Sequence, residues 1–158
     1  MLDTMGKESC KRSACPINCA LEILGDRWTL LIVRDIVLMR KRHYRDFLSS
    51  PEGIATNILS DRLRRLETAG ILSKRRDAAN ARRSVYTLTE KGLDLIPVMF
   101  SVFRWGARHE PGIGEYDDLI RSFEDHPEKY IATVRRDQGQ SGSDEGHVRA
   151  SAPSRISS

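Results

Sequence analysis

Residues 53–88 read GIATNILSDRLRRLETAGILSKRRDAANARRSVYTL, and the order of signals in this stretch decides the fold. Leu59, Leu63 and Leu66 recur at helical spacing, so a helix over residues 55–69 turns them toward a core. Asn57, Ser60, Asp61, Arg64 and Thr68 then project from the opposite side. Gly70 closes the helix, because only glycine enters the left-handed conformation at a helix end without cost. Residues 71–76 and 84–88 follow as two short strands. Between them, residues 77–83 form the tip of a hairpin.

Working toward the N-terminus, Ser50-Pro51-Glu52-Gly53 is a turn signal. A short helix near residues 44–49 precedes it, with Tyr44, Phe47 and Leu48 as its apolar side. Before that, Asp26 caps a helix whose buried stripe is Trp28, Leu31, Ile32, Ile36 and Met39. Pro16 suits the first position of an N-terminal helix over residues 16–24, and Gly25 suits its left-handed stop. On the C-terminal side, Thr89 caps a long helix running to His109, with Leu93, Ile96, Phe100 and Phe103 on one face. Pro97 lies inside it and removes a hydrogen bond, so a kink is expected there. One or two short helices are expected around Pro127.

These elements divide the 158 residues into an arm (1–14), a domain (15–110), a helical extension (111–137) and a Ser/Gly-rich tail expected to be disordered (138–158). The class is mainly α with a small β-hairpin. Three helices followed by a two-stranded hairpin is the order of a winged helix-turn-helix, whose recognition helix, here the third of the three over residues 55–69, enters the DNA major groove.

Charge supports a polyanion as partner. The whole chain carries +4, but residues 62–83 hold eight Lys/Arg and two acids, while the remainder holds 18 basic and 20 acidic residues. A solvated helix face followed by a basic loop would carry the same charge. The coincidence of that charge with the helix–hairpin order favours DNA. Thr56, Asn57, Ser60, Asp61 and Arg64 are short polar or bidentate groups fit to read base edges, and Arg65 adjoins them. Lys74, Arg75 and Arg76 are candidate phosphate contacts, which set affinity and not sequence choice. Arg82 and Arg83 stand at the hairpin tip, placed to meet the minor groove or backbone. His43 is expected to meet phosphate or water.

The segment from Cys15-Pro16-Ile17 through Ala20-Leu21-Glu22-Ile23-Leu24-Gly25-Asp26-Arg27-Trp28-Thr29 resembles the opening of HxlR-type transcriptional regulators. Gly53-Ile54-Ala55 with Leu59-Ser60-Asp61-Arg62-Leu63 resembles that family's recognition helix. Tyr86-Thr87-Leu88-Thr89-Glu90-Lys91-Gly92, Leu95-Ile96-Pro97-Val98 and Trp105-Gly106 resemble its second strand and last helix. The resemblance implies a bacterial homodimer, most simply a repressor, on a pseudo-palindromic operator. Its interface would join the first and last helices, with Leu21, Leu24, Phe100, Phe103 and Trp105 as contributors. Two departures stand out. The hairpin loop lacks the family's prolines, and Ala55 replaces the serine often found at the start of the recognition helix.

Several members of the family sense oxidants or electrophiles through an N-terminal cysteine, and Cys15 holds the matching position. A helix N-terminus favours a thiolate there, and Lys11 and Arg12 add to it; a small-molecule oxidant or electrophile is thus the expected effector. Cys15 as a small buried hydrophobe is the plainer alternative. Cys10, Cys15 and Cys19 lack the spacing of a zinc site, so no metal or other cofactor is expected. No P-loop, nucleophile elbow, dinucleotide fingerprint or metalloprotease motif is present, which argues against an enzyme. No apolar run is long enough to span a membrane, and no signal-peptide core precedes the domain, so a cytoplasmic protein is expected. The rival to a specific regulator is a winged-helix module that binds nucleic acid without sequence preference, or binds protein.

Overall fold

A computed structural model describes residues 15–110 and 116–139. Helix α1 (Pro16–Leu24) opens on extended Cys15 with proline in its first turn. Gly25 ends it at φ −74°, not in the left-handed region expected of it. Glycine is needed there for its size, because a Cβ would strike the Leu21 carbonyl. Asp26 then caps α2 (Thr29–Leu38). Its carboxylate accepts from the N–H groups of Trp28 and Thr29 at 2.8 and 3.0 Å and from Thr29 Oγ1 at 2.6 Å.

Helix α2 buries Ile32, Val33, Ile36 and Val37, with Trp28 and Leu31 half-buried beside them. Met39, expected to extend this stripe, is exposed: the helix ends at Leu38 and Arg40 turns the chain at φ +53°. Helix α3 (Tyr44–Leu48) carries a capping box made by His43 and Asp46. Helix α4 (Thr56–Thr68) buries Leu59, Leu63 and Leu66, each burial stabilising by about 1.5–3 kcal/mol. Gly70 follows at φ +69°, and the Ile71 N–H bonds back to the Leu66 carbonyl at 2.9 Å, as the expected glycine stop requires.

Strands β1 (Leu72–Arg76) and β2 (Ser84–Leu88) pair antiparallel, Leu72 opposite Leu88 and Arg76 opposite Ser84. The segment before α3 lies along the outer edge of β2. There the Tyr86 N–H donates to the Arg42 carbonyl at 2.8 Å, and His43 bridges to Val85.

The long helix expected from Thr89 is two helices, α5 (Glu90–Leu93) and α6 (Leu95–His109). The break falls at Asp94, three residues before Pro97. Proline has no N–H to give the Leu93 carbonyl, and its ring crowds that turn, so it sits in a new first turn instead of kinking a continuous helix.

Helices α7 (Asp117–Asp125) and α8 (Pro127–Gly139) flank Pro127. Phe123 stacks on Phe100 at 4.1 Å between centroids, and Tyr130 meets both rings edge-on. Val134 joins the same core. Gln138 and Gly139, expected to open the tail, instead complete α8, and Gln138 is buried; the expected arm (1–14) and the rest of the expected tail (140–158) lie outside the described residues.

Candidate nucleic-acid interface

Thr56, Asn57, Ser60, Arg64 and Arg65 all stand exposed on α4. Asp61 is half-buried and accepts from Arg64 Nη2 at 2.9 Å, one turn along the helix. Ala55 supplies no side-chain cap, as its methyl group dictates. The α3 residue Tyr44 ties down this end of α4 instead. Its hydroxyl donates to the Thr56 carbonyl at 2.8 Å and lies 3.0 Å from Ser60 Oγ. Sequence reasoning placed Tyr44 on an apolar face; a phenol that packs its ring and bonds through its tip gives no separate signal.

A network of charges fixes α2 against the turn that leads into α4. Asp35 is 2% exposed, and its two oxygens accept from Arg34, Lys41 and Ser50. Arg34 also forms a two-point pair with Glu52. Those hydrogen bonds hold the Glu52 carboxyl below its ordinary 4.5, against the opposing effect of partial burial. Burial pushes the Asp26 carboxyl up, but bonds from Thr29, the backbone N–H groups and the charge of Arg62 outweigh it and keep it below 3.8.

Arg62 and Arg75 of the basic 62–83 segment have partners within the chain. Arg62 is turned in toward Asp26 at 3.2 Å and Asp61 at 3.9 Å. Arg75, expected to contact phosphate, donates to the Gln138 carbonyl at 3.1 Å and so is engaged by α8. Alternation along β1 sends Lys74 and Arg76 to the other face. Lys74 Nζ lies 5.8 Å from the centre of the cross-strand Tyr86 ring. Arg82 and Arg83 are exposed at the tip.

The tip is self-bonded despite its lack of proline. The Asp77 N–H reaches the Arg83 carbonyl, and the side chains of Asp77 and Asn80 accept from the N–H groups of Ala79 and Arg82. His43, expected to meet phosphate or water, has carboxylate partners within the chain. Its ring nitrogens face Asp46 at 3.2 Å and Asp77 at 3.0 Å, so it links α3 to the base of the hairpin tip. The Ala79 N–H and His43 hold the Asp77 carboxyl below its ordinary value.

The expected interface residues divide. Leu21 is 56% and Trp105 62% exposed, while Leu24 and Phe103 are half-buried. Phe100 is a correction: α7 and α8 cover its ring within the chain, leaving it 4% exposed. Ile17, Val98 and Val102 are exposed as well and were missed. Their spacing was readable, since Val98, Val102 and Trp105 stand at i, i+4 and i+7. Cys15 is exposed at the N-terminal end of α1, not buried. Cys10 lies outside the described residues.

The HxlR-like helix-turn-helix family model matches residues 23–112. An uncharacterised HTH-type transcriptional regulator of Mycobacterium bovis is 36% identical over 95 residues, covering 60% of this chain and 59% of that protein. The match thus spans less than two thirds of that relative's length. A similarly named regulator of Synechocystis is 30% identical over 59% of this chain and 68% of its own. Among solved structures, PA1607, described as a candidate transcription factor, aligns with a TM-score of 0.58 at 34% identity, over 65% of this chain and 71% of that one. The redox regulator HypR in its oxidised form aligns with a TM-score of 0.54 at 26% identity, over 61% and 98%. The helix-turn-helix, the hairpin and α6 all fall inside the matched segment, and the chain belongs to the HxlR-like helix-turn-helix family.

Proposed function

We propose that this protein is a sequence-specific DNA-binding transcriptional regulator that acts as a homodimer, with α4 in the major groove and the hairpin as a wing on the adjacent backbone or minor groove. The observation that carries the reading is the exposed face of α4. Thr56, Asn57, Arg64 and Arg65 stand on it with Arg82 and Arg83 at the wing tip, and no described part of the chain covers them. Two copies on one duplex would place two α4 helices on half-sites of a pseudo-palindromic operator, and promoter occlusion makes repression the simplest outcome. Ile17, Leu21, Val98, Val102 and Trp105 supply the apolar surface that a second copy would cover. The exposed Cys15 thiol is the candidate receptor for an oxidant or electrophile, consistent with the similarity to HypR.

The test is binding of the purified chain to DNA from its own upstream region and to scrambled DNA, across a salt series, with and without a thiol oxidant. Preference for the native fragment supports a specific regulator, and equal binding supports a non-specific module. Arg64→Ala should weaken specific binding by about 1–3 kcal/mol, and Arg82→Ala should lower the salt slope by about one. Cys15→Ser should abolish release by oxidant. If both proteins release DNA equally, Cys15 is not the receptor.

A further inference from the structure

Helices α7 and α8 lie beyond the family-matched residues, yet the end of α8 meets the base of the wing. Gln138 is 6% exposed although it stands in the last turn of its helix. Its side-chain oxygen accepts from the N–H of Leu88, and its backbone carbonyl accepts from Arg75 Nη2 at 3.1 Å. One residue therefore holds both strands, β2 through its backbone and β1 through a side chain. Asp137, beside it, pairs with Arg40 at 3.1 Å, and Arg135 pairs with Glu90 at 2.7 Å. Along the outer edge of β2, the Tyr86 N–H is taken by Arg42 and the Leu88 N–H by Gln138.

We propose that Gln138 is a wing-positioning residue: by pinning the base of the hairpin, α8 sets where Arg82 and Arg83 stand relative to α4. The proposal rests on the DNA-binding reading above. The physical ground is that a two-stranded hairpin is marginal by itself, so its direction depends on whatever grips its base. Removing the amide leaves the buried Leu88 N–H without its acceptor, and the hairpin can regain one only by moving toward water.

The experiment is a double-mutant cycle in the full chain. Wild type, Gln138→Leu, Arg82→Ala and the double variant are titrated against a DNA site selected by the wild type from a random-sequence pool, over a salt series. Melting curves are recorded for each. Gln138→Leu should weaken binding by about three- to tenfold and lower the salt slope. In the Arg82→Ala background it should add little, because both changes act on one wing contact. Fully multiplicative effects, or wild-type binding by Gln138→Leu, would overturn the proposal. Gln138→Met, unbranched and of similar length, replaces Gln138→Leu if that variant melts early, with the same expectations. Failure of the wild type to select any site overturns the DNA-binding reading and this one together. A selected site with a multiplicative cycle overturns this one alone.

Discussion

Asp35 and Tyr44 show how single side chains hold α4 and the turn before it in place. Asp35 is buried among Arg34, Lys41 and Ser50, so Asp35→Ala leaves Lys41 without its carboxylate beside an apolar core and Arg34 with Glu52 alone. We expect a loss of about 3–5 kcal/mol in urea unfolding, the cost of breaking a buried ion pair from one side. A loss below about 1 kcal/mol, the range of exposed pairs, would mean that water reaches the network. Tyr44→Phe keeps the ring and removes only the bonds to Thr56 and Ser60. It should cost about 0.5–1.5 kcal/mol in stability. On the proposed DNA-binding role, DNA affinity should fall with it, because Ala55 gives the N-terminal end of α4 no side-chain cap.

At the scale of elements, the α2–α4 geometry has a pH signature. Glu52 is held below its ordinary 4.5 by Arg34, so the ionised carboxylate is favoured more in the folded chain than in the unfolded one. A lowered folded value means that the stabilisation is present above pH 4.5 and is lost as pH falls through the folded value. Glu52→Gln should therefore be less stable than wild type at pH 7, by about 1 kcal/mol for a partly exposed pair. The two urea curves should converge as pH drops below that range. A gap that stays constant down to pH 3 would assign the loss to packing and not to charge. The same logic applies to Asp26, which Thr29 and Arg62 hold low against burial.

At the scale of the whole molecule, most of the large apolar side chains exposed among the described residues lie on two helices, Ile17 and Leu21 on α1 and Val98, Val102 and Trp105 on α6. Large exposed aromatic and branched residues grouped on two helices are what an oligomer covers. Trp105→Ala should weaken self-association by at least about 2 kcal/mol, some thirtyfold in dissociation constant. Leu21→Asp should give a monomer by sedimentation at micromolar concentration while keeping the helical circular dichroism. Unchanged sedimentation of both variants would overturn the proposed pairing through α1 and α6.

Much of the molecule was legible in its amino-acid order because the causes are local. The leucine spacing of α4, the left-handed Gly70, the Asp26 cap and the strand pair around residues 77–83 depend on neighbours within a few residues. The exposed polar face of α4 follows from the same periodicity. What the tertiary structure decided are contacts between groups far apart in the chain. Phe100 is core because Phe123 and Tyr130 reach it. Asp26 draws in Arg62, Gln138 engages one end of Arg75, and Asp77 ties His43. A charge in the sequence announces only that it needs a partner; whether that partner is DNA, water or a distant carboxylate is set by which surfaces folding brings together.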